Sequence, residues 1–107
     1  MKEEKVYLKH IINCILKIET YTIKGKEEFL ESELIQDAVI RNLQIIGEAT
    51  KKLPDEIRQK EKNVPWREMA GLRDVLTHDY FGVDLKIVWN VVEKELPTIR
   101  LYLEKLL

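Results

Sequence analysis

Between Glu4 and Tyr21 the apolar residues Leu8, Ile11, Ile12, Ile15, Ile18 and Tyr21 recur at steps of three and four. That spacing lays one apolar stripe along an amphipathic helix. Lys24-Gly25-Lys26 ends it. A second helix is predicted from Ser32 to Leu53, with Ile35, Ala38, Val39, Ile46, Ala49 and Leu53 on its inner face and Pro54 as its stop. From Pro54 to Lys62 the acids Asp55 and Glu56 precede Arg58, Lys60 and Lys62. This order suits the dipole of a short helix, so one or two exposed turns are predicted there. Pro65 sits well at the start of a third helix that runs to Thr77 or His78. Asp79 to Val83 reads as a turn, and Asp84 as the N-cap of a final helix. That helix carries Leu85, Val88, Trp89, Val92 and Leu96, is kinked or restarted at Pro97, and continues through Leu101, Leu103, Leu106 and Leu107. No stretch alternates long enough to read as a strand. The expected class is all-α: a four- to five-helix antiparallel bundle.

The chain of 107 residues is the right length for one domain. Roughly two-thirds of its surface can be buried on folding, enough for a core without staples. Eighteen Lys and Arg stand against 19 Asp and Glu, a formal net charge of -1. A broad cationic coat for nucleic acid is therefore excluded, whereas a small local site is not. Cys14 is the single cysteine, so no intrachain disulfide or cysteine-based zinc cluster can form. The opening residues resemble no signal peptide. The longest apolar stretch, Ile11 to Leu16, is broken by Asn13 and falls far short of a membrane span. These features lead us to expect a cytoplasmic domain.

The two histidines differ in setting. His10 lies in an ordinary amphipathic run and reads as an exposed or boundary residue. His78 falls at the expected end of a helix, five residues after Arg73 and two before Tyr80. On a continuous helix residues five apart diverge by about 140°, so Arg73 and His78 can meet only if the helix ends at this place. The plain alternative is a surface arginine and a histidine that caps a helix C-terminus. Asp37, Arg41, Gln44 and Glu48 share one polar face of the second helix, where Asp37 and Arg41 are spaced for an ordinary ion pair. Gly47 lies inside that helix at a cost of about 1 kcal/mol relative to alanine, which close approach of another helix would explain. Trp66 and Trp89 read as packing anchors. His78, Asp79 and Asp84 match no common metal-ligand spacing.

Arg73, His78 and Tyr80 form an Arg-x4-His-x-Tyr pattern that resembles the signature of the HepT family of HEPN-domain toxins. Three further segments are similar to that family: Ile40 to Ala49, Val64 to Glu68, and Tyr80 to Asp84 with Val88-Trp89. The resemblance implies a single HEPN domain over residues 1–107, and a two-fold homodimer. It implies a metal-independent endoribonuclease, the toxin of a prokaryotic toxin–antitoxin pair of type VII-like kind, acting on RNA without a cofactor. Arg73 and His78 of both subunits would be catalytic in one cleft. A minimal nucleotidyltransferase antitoxin of the MntA type would attach AMP to Tyr80. Arg41 and Glu48 would support the cleft wall. Asp74 would be a supporting residue as well: it stands where the family often has asparagine, keeps a polar acceptor there and adds negative charge beside the phosphate site.

The chemistry fits those residue types. RNA cleavage without a metal needs a base for the 2′-hydroxyl proton, an acid for the leaving 5′-oxygen and a cation for the phosphate. Histidine serves either proton role near neutrality, and arginine presents a planar fork to phosphate oxygens. A two-fold dimer would bring two of each into one site. Charge is the weak point. From Pro65 to Asp84 two arginines face Glu68, Asp74, Asp79 and Asp84, so bases from elsewhere, such as Lys51, Lys52, Arg58 and Lys60, are expected to help. The alternative reading is a catalytically inactive helical module that binds a nucleotidyltransferase or a nucleotide. A purely structural dimerisation bundle is a third.

Overall fold

The computed structural model describes residues 2–78 and 82–107, with the backbone alone for Lys2, Glu3 and His78. Helices α1 (Lys2–Tyr21), α2 (Lys26–Glu31), α3 (Glu33–Lys51), α4 (Asp55–Lys60) and α5 (Trp66–His78) follow in order. The last part of the chain is α6 (Leu85–Asn90), a π-helical turn (Val91–Glu95) and α7 (Leu96–Lys105) in direct succession. No strand occurs among the described residues, so the all-α class holds. The molecule extends 41 × 27 × 21 Å. Helix α3 is the centre of the fold, with α1 packed on one part of its surface and α5 on another, while α7 closes onto α1.

The stripes read from the sequence form the core. Leu8, Ile11, Ile15 and Ile18 of α1 are fully buried, as are Val39 and Ile46 of α3, whereas Tyr21 is 39% exposed. The predicted second helix is α3, and the short α2 before it is an element the apolar spacing did not predict. Ser32, at the predicted start, is extended and accepts a 3.2 Å hydrogen bond from the Ile35 amide, capping α3. The preceding turn ends at Gly25, whose φ of 97° lies in the left-handed region that glycine tolerates. It sets α2 at an angle that buries Phe29 completely against Trp89, with ring centroids 5.5 Å apart. Helix α4 occupies the predicted short turns but is not wholly exposed, because Ile57 is buried. Trp66 ties it down by donating its indole N–H to the carbonyls of Arg58 and Glu61. Both tryptophans are buried, as expected for packing anchors.

Asp84 caps α6 as predicted, accepting 2.9 Å from the Lys86 amide. The break near Pro97 takes a particular form. The Leu96 amide donates to the Val91 carbonyl five residues back. Pro97 has no amide to donate, and its ring would collide with the carbonyl four residues earlier in a regular helix. The widened turn relieves that collision and lets α7 begin with Pro97 in its first turn.

Gly47 marks the closest approach of two helices. A Cβ built there would lie 2.7 Å from the Arg73 backbone nitrogen and 3.0 Å from the Met69 carbonyl oxygen, both on α5. The backbone of α5 therefore rests on α3 at the position that carries Arg73. A methyl group cannot fit without separating the helices. Gly71 of α5 is the converse, since a Cβ there meets nothing within 4 Å. Gly47→Ala is expected to lose about 1–2 kcal/mol of stability, overpacking outweighing the helix-propensity gain. Gly71→Ala should gain about 0.5–1 kcal/mol. Urea denaturation of the two variants beside the parent checks both signs.

Candidate functional site

The close contact at Gly47 sets the walls of a cleft of about 640 Å³. From α3 come Arg41, Gln44, Ile45, Glu48 and Ala49, with Lys52 just beyond its end. Arg73 and Thr77 of α5 form the facing wall, and Tyr7 and His10 of α1 close a third side. Arg41, Gln44 and Glu48, predicted to share one polar face, do line one surface of this cleft. The spacing of three and four places them in register along α3, and the buried face of Val39, Leu43 and Ile46 fixes which way they point.

Arg73 is held but not locked. Its Nε lies 3.5 Å from Glu48 Oε2 and its Nη1 lies 3.4 Å from Asp74 Oδ1. Its side chain is 47% exposed. Exposed pairs of this kind contribute only about 0–1 kcal/mol, so the guanidinium can be given up to a bound anion at little cost.

Asp74 is paired with a lysine of α3. Lys51 Nζ donates to both of its oxygens, at 3.1 and 3.0 Å. That hydrogen bond, with the lysine charge and a weaker contribution from Arg73, holds the Asp74 carboxyl below the usual aspartate value. Asp74 does not line the cleft, and neither does Glu68 or Asp84. Of the acids behind the expected local acidity, these three lie off the cleft, and Asp79 is outside the described residues. Among the described residues its walls carry Arg41, Lys52 and Arg73 against Glu48. Among the bases expected to help, Lys52 lines the cleft and Lys51 neutralises Asp74. Arg58 instead donates to the Thr50 carbonyl at 2.9 Å, and Lys60 ends α4 away from the cleft lining.

Helix α5 is described as far as His78. The His78 side chain, Asp79 and Tyr80 lie outside the described residues. Thr77, the residue before His78, lines the cleft. Among the described residues no three His, Cys, Asp or Glu side chains gather as a metal site, and no helix is long and apolar enough to cross a membrane. Sequence reading passed over Tyr7 and His10 as cleft residues. Their three-residue spacing on one side of α1 was the available signal, but only the packing of α1 on α3 reveals what they face.

A family profile described as Ribonuclease HepT-like matches residues 11–106. The chain belongs to the HepT-like ribonuclease family. This HepT-like chain is 42% identical over 106 residues to a Thermococcus cleftensis protein named "Probable ribonuclease HepT", covering 98% of the chain and 96% of that protein. It is 27% identical over 118 residues to the "mRNA nuclease HepT" of Shewanella oneidensis, covering 88% of each. A Methanocaldococcus jannaschii protein named "Gamma-glutamylcyclotransferase and putative RNase" is 49% identical over 100 residues, which are 92% of this chain but 45% of that longer protein. No solved structure gives a significant match.

The Asp74 carboxyl is depressed chiefly by Lys51. In Lys51→Met its titration midpoint, followed by carbon-detected NMR, should rise toward the ordinary 3.8. A group depressed in the folded state stabilises above its unfolded pKa, and that stability is lost as pH falls through the folded value. The parent should therefore lose more stability than Lys51→Met on acidification below about pH 4.

Proposed function

We propose that this chain is an endoribonuclease that acts as the toxin of a prokaryotic toxin–antitoxin pair. The observation that carries the reading is the cleft itself. In a chain of net charge -1, three bases line one groove with a single acid among the described residues, and one of the bases is the motif arginine. Membership of the HepT-like family supports the same conclusion.

In this reading Arg73 binds the scissile phosphate and stabilises the charge that builds on it. The 2′-oxygen of RNA attacks phosphorus as a base takes its proton. The bond from phosphorus to the 5′-oxygen breaks as an acid supplies a proton there. His78 performs proton transfer, and the second histidine comes from a symmetry-related subunit in a homodimer. No metal ion takes part. Arg41 and Lys52 hold neighbouring phosphates, and Glu48 orients Arg73 through its 3.5 Å pair. Asp74 lies beside Arg73 but is bonded through both oxygens to Lys51, which offsets its charge there. That pairing favours an active enzyme over the inactive module that binds a nucleotidyltransferase or a nucleotide.

An apolar groove lined by Leu72, Val75 and Ile87 supports the dimer, because Val75 and Ile87 are 62% and 64% exposed on neighbouring helices. A minimal nucleotidyltransferase of the MntA type serves as antitoxin by transferring AMP from ATP to the Tyr80 hydroxyl, with pyrophosphate leaving. The added phosphate would compete with RNA for Arg73.

His78→Ala and Arg73→Ala should each lower cleavage of single-stranded RNA by about 100-fold or more while leaving the helical circular dichroism unchanged. Cleavage at the parental rate by both variants would refute the assignment. Intact-mass spectrometry after co-expression with the nucleotidyltransferase should show added AMP that disappears in Tyr80→Phe. In sedimentation runs, Val75→Glu should shift the protein from dimer to monomer. An unchanged sedimentation coefficient would place the interface elsewhere.

A further inference from the structure

We infer that Tyr7 and His10 of α1 form a single-stranded RNA subsite on the cleft, holding the nucleotide next to the one that Arg73 engages. The inference rests on the ribonuclease reading and extends it to a wall that the Arg-x4-His-x-Tyr pattern does not include. Both residues line the same cleft as Arg73, together with Arg41 and Lys52 of the α3 wall. Their spacing of three puts them on one side of α1, one above the other. Tyr7 packs against the hydrophobic core while lining the cleft, so its ring is a supported surface rather than a mobile one. His10 is exposed at the same wall and offers ring nitrogens to a ribose hydroxyl or phosphate.

This combination suits an unpaired strand. Single-stranded nucleic acid is held by cations that follow the backbone and by aromatic rings on which bases stack, each stacked base contributing with little regard to sequence. Arg41 and Lys52 supply the first and Tyr7 the second. A paired A-form stem presents its bases already stacked and so cannot use the Tyr7 ring. The subsite therefore selects single strands, and a histidine from the same chain faces the substrate in addition to His78.

The test reads binding separately from cleavage. A fluorescent single-stranded oligonucleotide with 2′-O-methyl riboses, which cannot be cleaved by 2′-attack, is titrated with the full chain and followed by anisotropy. Tyr7→Leu should weaken binding roughly 5- to 100-fold, and Tyr7→Phe, which keeps the ring, by less than about 2-fold. His10→Ala should weaken it about 3- to 10-fold. Tyr21→Leu, at the other end of α1, should bind as the parent does. Equal affinity for the parent, Tyr7→Leu and His10→Ala would overturn this inference and leave the ribonuclease reading intact. Absence of binding and of RNA cleavage in the parent would overturn both. A second measurement needs no variant. Photocrosslinking of the parent to 4-thiouridine RNA should label the peptide of residues 6–9 or the one beginning at His10, and labelling confined to peptides remote from the cleft would count against the subsite.

Discussion

The contact between the backbones of α3 and α5 at Gly47 is the constraint on which the rest of the site depends. The missing side chain lets the amide of Arg73 approach a position that a Cβ would occupy at 2.7 Å. Glycine inside a helix costs about 1 kcal/mol relative to alanine, and here the return is positional. With α5 seated this closely, Arg73 reaches Glu48, the residue after Gly47, and shares a cleft with Arg41 and Lys52. Helix α1 packs against α3 as well and adds the third wall. One small residue thus decides where three helices present their polar faces to one another.

The electrostatics follow from that geometry more than from composition. The whole chain is close to neutral, and the segment around the arginine motif reads as acidic in sequence. Folding separates these charges. Asp74 turns to Lys51, Glu68 and Asp84 stay off the cleft, and α3 contributes bases that lie about 20 to 30 residues before Arg73. A groove with an excess of positive charge concentrates anions without a generally basic surface. The pairs that restrain Arg73 are exposed and weak, which aims the guanidinium without committing it.

Much of the fold was legible in the spacing of apolar residues, because long amphipathic helices carry a strong period. The runs that became α1, α3, α5 and the final helix were read closely, and the Asp84 cap and the meaning of Gly47 followed from local chemistry. Helix α2 was missed because its six residues show too few apolar positions to display a period, although Phe29 is fully buried. Ile57 was read as exposed because its neighbours are charged, and only tertiary packing covers it. The site was legible in part. Arg73, Arg41 and Glu48 were named from pattern and come together at one cleft. His10 was passed over because nothing in its own helix distinguishes it. Its significance arises from a neighbour that is distant in sequence.

The central claim is that RNA enters the groove between α1, α3 and α5 at Arg73. Amide chemical-shift mapping with a non-cleavable single-stranded oligonucleotide tests it most directly. The expected result is a set of perturbations concentrated at Arg41 to Lys52 and at Arg73 to Thr77, saturating together as oligonucleotide is added. Perturbations confined to α4 and α7, with the cleft amides unmoved at saturation, would contradict it.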